Sequence, residues 1–294
     1  MNLEDYLIVE KINSGASSVE KYKLYKDNKY YLLRIFDARF MKSRYKALEN
    51  MEKLLENGIS VPKIYSKGLL NGEKGYVLLE WIDGISLEKK LTDIEAEIQY
   101  GDIVSKELLT LHNINVPGKI IIYDRFIESF SKKLAKVLDL KIDKESVILL
   151  RDYVMKHRNI LKELKDNSII HGDFHPGNII IDDNKPIFID MDVCTVSHPW
   201  KDLTSNACNM EFPNFYSSVI ENYFQNNIPI EFWKIYNLYG SLYILDYILY
   251  TLRTNGKSLI DGEHKLKEFL NFNNYFESDI PEWFNKDIKL RRKM

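Results

Sequence analysis

The sequence predicts an α+β protein of two lobes, an antiparallel sheet carrying one helix followed by a mainly helical lobe. Three observations point there. Short strand-like runs separated by turn formers fill the chain up to about residue 80, broken by a single amphipathic helix. Beyond that point the composition shifts and apolar residues recur at helical spacing. Strand character returns briefly between 168 and 189, with acidic residues at its turns.

The elements follow in order. Tyr6 to Ile12, Val19 to Leu24 and Tyr30 to Ile35 read as strands. The connectors Asn13-Ser14-Gly15-Ala16-Ser17-Ser18 and Lys26-Asp27-Asn28-Lys29 are rich in turn formers. A helix spans roughly Lys42 to Asn57, with Leu48, Met51, Leu54 and Leu55 on one face and Gly58 as its stop. Val61 to Tyr65 and Gly75 to Leu79 give two more strands. Ile82-Asp83-Gly84 breaks the pattern. Helices then carry Ile98, Val104, Leu108 and Leu111; Phe126, Phe130, Leu134 and Val137; and Val147, Leu150, Val154, Leu161 and Leu164. Brief strands at Ser168 to His171, Ile179 to Ile181 and Pro186 to Ile189 precede a helical, aromatic-rich remainder. That order suggests a bilobal kinase-like fold: residues 1–79 as an N-terminal lobe, 80–84 as a hinge and 85–294 as a C-terminal lobe.

Composition bounds the class. The 294 residues are enough for two packed lobes, and 45% hydrophobic with 29% charged is ordinary for a soluble globular chain. A net charge of -2 announces no nucleic-acid partner, and the Arg291-Arg292-Lys293 tail is read as solvated. Cys194 and Cys208 form neither a metal spacing nor a disulfide framework. The start carries no signal region, and the apolar run Leu242 to Leu252, interrupted by Asp246, is too short for a bilayer. A soluble, reduced, cytoplasmic protein is expected, with no membrane and no protein partner.

The segment His171-Gly172-Asp173-Phe174-His175-Pro176-Gly177-Asn178, followed by Asp190, carries the chemistry. Asp173 follows an apolar strand, so a carboxylate stands where that strand ends and can take a proton from a hydroxyl. Asn178 lies just before Ile179-Ile180-Ile181, and its amide oxygen suits magnesium, a hard cation. Asp190 ends the next strand, so a hairpin turning at Asp182-Asp183-Asn184 returns it to the same edge. The conjunction points to phosphoryl transfer, which asks a protein for a placed nucleophile, metal ligands and donors around the phosphates. A competing reading takes His171, Asp173 and His175 as zinc ligands. The loop Ser14 to Ser18, with Gly15, can cover phosphates with backbone N–H groups, or can be a plain hairpin turn.

This stretch resembles the catalytic loop of the aminoglycoside phosphotransferase and choline kinase superfamily, and the resemblance covers nearly the whole chain. It implies Asp173 as catalytic base, Asn178 and Asp190 as magnesium ligands and His171 as mainly structural. It implies that Asp192 either touches a second metal or its water, or stabilises the loop. Asp202 becomes a helix N-terminal cap that braces the loop. Leu78-Leu79-Glu80-Trp81-Ile82-Asp83-Gly84 resembles the family hinge, which implies adenine contacts from the Glu80 carbonyl and the Ile82 N–H. The third strand departs from the pattern: Arg34 stands where kinases commonly carry lysine. Arginine keeps a permanent charge and a bidentate fork, so Arg34 is expected to anchor the phosphates, paired with Glu49 or, as runner-up, Glu52.

The implied cofactors are magnesium and ATP or GTP, and the implied partner is a small molecule bearing a hydroxyl. Asp190 is followed by Met191-Asp192 rather than Phe-Gly, and few residues separate it from Trp200, which leaves no long peptide-docking loop. Residues 117–166 insert two helices, as in the small-molecule kinases. Glu211, Glu221, Glu231, Asp246 and Asp261 are candidates to line a cationic-substrate site, although acidic and basic residues nearly balance after Ser197. Three functions stay open: an O-phosphotransferase of the antibiotic-resistance type acting on an aminoglycoside or macrolide; a metabolic kinase for choline, a sugar or an amino alcohol; and a nucleotide-binding pseudokinase with a scaffold role.

Overall fold

The Asp27-Asn28 turn sets the geometry of the N-terminal sheet. Both residues adopt left-handed backbone angles, with φ of 49° and 58°. Such a two-residue turn matches the twist of the strands that it joins. It therefore locks β2 (Glu20–Lys26) to β3 (Lys29–Asp37) in a fixed register, from Lys26 opposite Lys29 to Glu20 opposite Ile35. In this computed structural model the described residues are 3–13, 19–70, 72–117, 122–165, 167–208, 211–254 and 256–284.

Two compact units divide the chain, Met1–Lys90 with His171–Thr195, and Leu91–Ile170 with Val196–Met294. By contact, the stretch 171–195 thus belongs with the sheet, although in sequence it follows the first helices of the second unit.

The first unit is built on a five-stranded antiparallel sheet in the order β1-β2-β3-β5-β4, with β1 at Leu7–Ile12, β4 at Ile64–Leu69 and β5 at Lys74–Glu80. Alternation gives it two faces. Leu24, Leu33, Tyr76 and Leu78 bury one side with Tyr22, Tyr31 and Ile35 against them. The other side carries Arg34, Phe36, Val77 and Leu79 toward Ala47, Leu48 and Met51 of α1 (Met41–Glu56). Gly58, at φ 79°, ends that helix, its N–H donating to the Leu55 carbonyl at 3.0 Å. The fourth strand begins later than expected from the sequence, at Ile64 rather than Val61. Val61 and Ile59 are instead buried as core residues, and Pro62 has no N–H for a ladder.

After β5 the chain makes a close pass. A side chain on Gly84 would place its Cβ 2.5 Å from Ile180 Cγ2 and 2.8 Å from the Ile181 carbonyl oxygen. Glycine permits the contact, and β6 (Ile85–Ser86) then pairs with β8 (Ile179–Asp182), which forms a hairpin with β9 (Lys185–Phe188). The hairpin turns at Asp183 and Asn184, both left-handed.

The second unit is mainly helical: α2 (Ile94–His112), α3 (Ile122–Leu138), α4 (Lys144–His157), α5 (Pro213–Tyr223), α6 (Ile230–Thr251) and α7 (Leu259–Phe272), and it also carries the short strand β7 (Ser168–Ile170). Asp93 caps α2 and Asp143 caps α4, each accepting from helix N–H groups. The third expected helix stops at His157, and a tighter turn over Arg158–Lys162 buries Leu161. α6 is apolar on nearly every face, as a central core helix must be. Among the described residues no helix is long and apolar enough to cross a membrane.

Buried polar groups tie these helices together. Glu97 of α2 accepts from the Asn214 and Phe215 N–H groups at 2.8 and 3.1 Å, and so caps α5 from outside. His112 lies between two partners, with Nε2 3.0 Å from Asp202 Oδ2 and Nδ1 3.0 Å from the Tyr223 hydroxyl. Its side chain and that of Asp202 are each 1% exposed. His112→Ala should therefore destabilise the protein by roughly 3–5 kcal/mol, the range for breaking a buried pair. Urea unfolding measures it. A loss below about 1 kcal/mol would mean that Asp202 is satisfied without the imidazole.

Candidate functional site

The loop from His171 to Asn178 is built around its histidine. His171 is fully buried. Its Nδ1 accepts from the Asp173 N–H at 3.2 Å, and its Nε2 lies 3.0 Å from the Ile189 carbonyl oxygen. A backbone N–H can only donate and a carbonyl can only accept, so the ring is in the Nε2–H form. Both nitrogens are thereby engaged, which removes His171 from the zinc reading. Among the described residues no three His, Cys, Asp or Glu side chains cluster to hold a metal. Gly172, at φ 84°, sits where a Cβ would lie 2.7 Å from the Val193 carbonyl oxygen, so the loop passes close to the segment after Asp190.

The backbone then gathers the three expected site residues. The Asn178 amide nitrogen donates to the Asp173 carbonyl at 2.9 Å and to its carboxylate Oδ2 at 3.1 Å. This directs the Asn178 amide oxygen away from Asp173. The Ile189 N–H donates to the Asn178 carbonyl at 2.9 Å, which closes the open end of the β8–β9 hairpin beside Asp190. Asp173 is exposed, its side chain 60% accessible, and His175 Nε2 stands 3.9 Å from its carboxylate.

Asp190 adopts left-handed angles, φ 58° and ψ 42°. Aspartate is among the few side chains that tolerate this region. Its Oδ1 accepts from Arg34 Nη1 at 2.8 Å and its Oδ2 from Lys21 Nζ at 3.1 Å. Burial raises its pKa, but the charges and hydrogen bonds of Arg34 and Lys21 outweigh that and leave it at about 2. Asp192 pairs with Arg34 Nη2 and with Arg44 of α1.

The Arg34–Glu49 pair expected from the sequence is not formed. Glu49 lies on the exposed face of α1, and Glu52 pairs with Lys67 at 3.0 Å. Arg34, 3% exposed, has Asp190 and Asp192 as its carboxylate partners among the described residues. The reason is the inward face of α1, which offers Ala47, Leu48, Asn50, Met51 and Leu54 rather than an acid. Arg44, nearer the start of α1, reaches Asp192 in its place. Lys21 and Arg44 were not among the residues singled out from the sequence. The signal for Lys21 was present, because the Asp27-Asn28 turn places it directly opposite Arg34.

Glu80 is the last residue of β5, paired with Tyr31, and its N–H donates to the Lys63 carbonyl at 2.8 Å. Its side-chain Oε2 accepts from the Lys63 N–H at 3.1 Å, and Trp81 Nε1 donates to Asp83. Ile82 lies between this brace and Gly84. Ser14 and Gly15 lie outside the described residues. Asp202, expected to cap a helix, is buried within the tight helical run Pro199–Cys208 and meets His112.

The second unit holds a pocket of about 520 Å³ lined by Ser205, Cys208, Tyr243, Asp246, Tyr247, Tyr250 and Lys265. Of the five acids considered for a cationic substrate, Asp246 lines it and pairs with Lys133 at 2.9 Å. Asp261 caps α7 with Ser258. Lys257 already stands 5.0 Å from the Tyr247 and Tyr250 ring centres.

Comparison with known proteins gives this geometry a family. The fold is that of aminoglycoside phosphotransferase APH(4)-Ia in a thermostable, ligand-free form, at 10% identity and a TM-score of 0.69, over 92% of this chain and 96% of that one. Similarity of the same kind holds for the GDP complex of an aminoglycoside 2'-phosphotransferase, at 15% identity and 0.66 over 90% and 94% of the chains. It holds also for the choline kinase LicA from Streptococcus pneumoniae, at 20% identity and 0.63 over 92% and 95%. No curated protein matches the chain by sequence. The phosphotransferase enzyme family matches residues 8–232, more than half of the chain, and the protein belongs to that family.

Proposed function

We propose that the protein transfers the terminal phosphoryl group of ATP or GTP to a hydroxyl of a small molecule, with Asp173 as the base. One observation carries the reading: the Asn178 amide, itself fixed at the mouth of the β8–β9 hairpin beside Asp190, donates to the Asp173 carboxylate at 3.1 Å. A carboxylate held in place yet 60% accessible can meet an incoming hydroxyl, orient it and take its proton as the new P–O bond forms. His171 keeps the loop in shape through its two ring nitrogens and takes no part in proton transfer.

The donor set fits magnesium. Asp190 is a carboxylate at any pH well above 2, the Asn178 amide oxygen faces away from Asp173, and Asp192 adds a second carboxylate. One or two carboxylates with an amide oxygen suit an ion that retains waters and shares phosphate oxygens. Bound there, magnesium would neutralise charge on the phosphates. The backbone at Glu80 and Ile82 would meet the base of the nucleotide, in keeping with the braced end of β5. Family membership and the GDP bound to one structural neighbour support a nucleotide donor.

An aminoglycoside calls for converging carboxylates, whereas Asp246 is paired with Lys133 and Asp261 caps a helix. A panel of aminoglycosides, macrolides, choline, amino alcohols and sugars with labelled ATP and GTP separates the resistance reading from the metabolic one. Transfer to none of them, with wild type and Asp173→Asn alike, would leave the scaffold reading in possession.

Asp173→Asn should lower kcat by ~10²–10⁴-fold, the usual contribution of a positioned base, with nucleotide affinity kept. Steady-state kinetics and calorimetric titration check the two halves, and unchanged kcat would remove Asp173 from the role. Asp190→Asn should weaken magnesium–nucleotide affinity by about tenfold or more, a difference of about 1.4 kcal/mol. Equal affinity in titration calorimetry would rule Asp190 out as a metal ligand.

A further inference from the structure

A kinase-like site needs a cation that can turn to the nucleotide phosphates. Arg34, the residue that the strand pattern offers, is already committed. Its guanidinium is 3% exposed, with Nη1 on Asp190 and Nη2 on Asp192. Directly opposite on the β2–β3 ladder stands Lys21. Paired residues of an antiparallel ladder project from the same face, so the two cations lie side by side. Like charges in that position repel unless an anion sits between them, and here Asp190 does, one oxygen to each.

The two cations differ in what they can do next. Arginine offers a planar fork already matched to two carboxylates, and leaving them would strand a buried charge. Lysine offers a single ammonium on a flexible stem, with one hydrogen bond to Asp190 and a side chain 15% exposed. Charge counting points the same way. Lys21, Arg34 and Arg44 face two carboxylates, Asp190 and Asp192, which leaves an excess positive charge for an anion.

We propose that Lys21, and not Arg34, grips the nucleotide phosphates, while Arg34 is a positioning residue that holds Asp190 and Asp192 in place. The proposal rests on the nucleotide-dependent reading above. The lysine that kinases commonly carry on the third strand is, in this chain, supplied from the second. When Asp190 turns to a metal, the Lys21 ammonium is released toward a phosphate oxygen with no change in the sheet.

The test is calorimetric titration of wild type, Lys21→Met and Lys21→Arg with ATP or GTP, whichever wild type binds, and with its nucleoside. It is run in excess magnesium, the condition in which Asp190 turns to the metal; freeing Asp190 of Lys21 can only favour metal binding there, so it cannot produce the loss expected. Lys21→Met should lose about tenfold or more in nucleotide affinity, the size of a charge-assisted contact, with nucleoside affinity unchanged. Lys21→Arg should stay within about threefold of wild type, since the cation is retained. Lys21→Met should stay folded, because Asp190 keeps Arg34 as a partner, and Lys21→Gln serves if methionine disturbs the sheet. Nucleotide affinity equal to wild type in Lys21→Met, or nucleoside affinity falling in parallel, would overturn the role of Lys21 alone. Wild type binding neither nucleotide nor nucleoside would overturn the nucleotide reading itself.

Discussion

The carboxylate of Asp190 ties two strands of the first unit to the loop that carries it. It receives Lys21 and Arg34 from adjacent strands, while Asp192, two residues on, receives Arg34 and Arg44. Remove that carboxylate and two cations face each other across a ladder, one of them nearly buried. Arg34 keeps Asp192, so the loss falls on the uncompensated Lys21–Arg34 repulsion, and the sheet depends on the loop as much as the loop on the sheet. The left-handed backbone at Asp190 is one part of this arrangement, held where the hairpin and the two cations meet. It is one of the ties, beside the β6–β8 pairing, that group residues 171–195 with the first ninety residues.

Much of this was legible in the sequence because it is local. Two-residue turns at Asp27-Asn28 and Asp183-Asn184 announce their hairpins, and each hairpin then follows with its register. The apolar face of α1 and its stop at Gly58 are equally local. The spacing Asp173, Asn178, Asp190 across one strand, one turn and a second strand is what brings the three to one hairpin mouth. The partner of Arg34 was not legible. Periodicity identifies which face of α1 turns inward, but not whether an acid on its outer face can reach a strand. The actual partners lie over 150 positions away, and nothing in the local pattern connects them. The late start of β4 has a different cause: Val61 looks like a strand residue but is buried in the core, as is Ile59 before it.

The second unit repeats the principle in quieter form. Glu97 caps a helix more than a hundred residues away, and His112 meets Asp202 across a similar separation. In each case a polar group that would be costly to bury alone is satisfied by a distant segment, which makes the packing of these helices specific. Asp202 was expected as a cap because it resembles the family's aspartate at a helix start. Burial and the imidazole give it a different partner.

The proposed chemistry asks Asp190 to exchange its cations for a metal, Lys21 to follow the phosphates and Arg34 to stay. The measurement that bears on this most directly is a crystal structure with magnesium and a non-hydrolysable nucleotide. The expected result has Asp190 and the Asn178 amide oxygen on the metal, Arg34 still on Asp192, and the Lys21 ammonium at hydrogen-bond distance from a phosphate oxygen. Phosphates held by Arg34 with Lys21 still on Asp190, or a nucleotide bound away from Asp173, would contradict it.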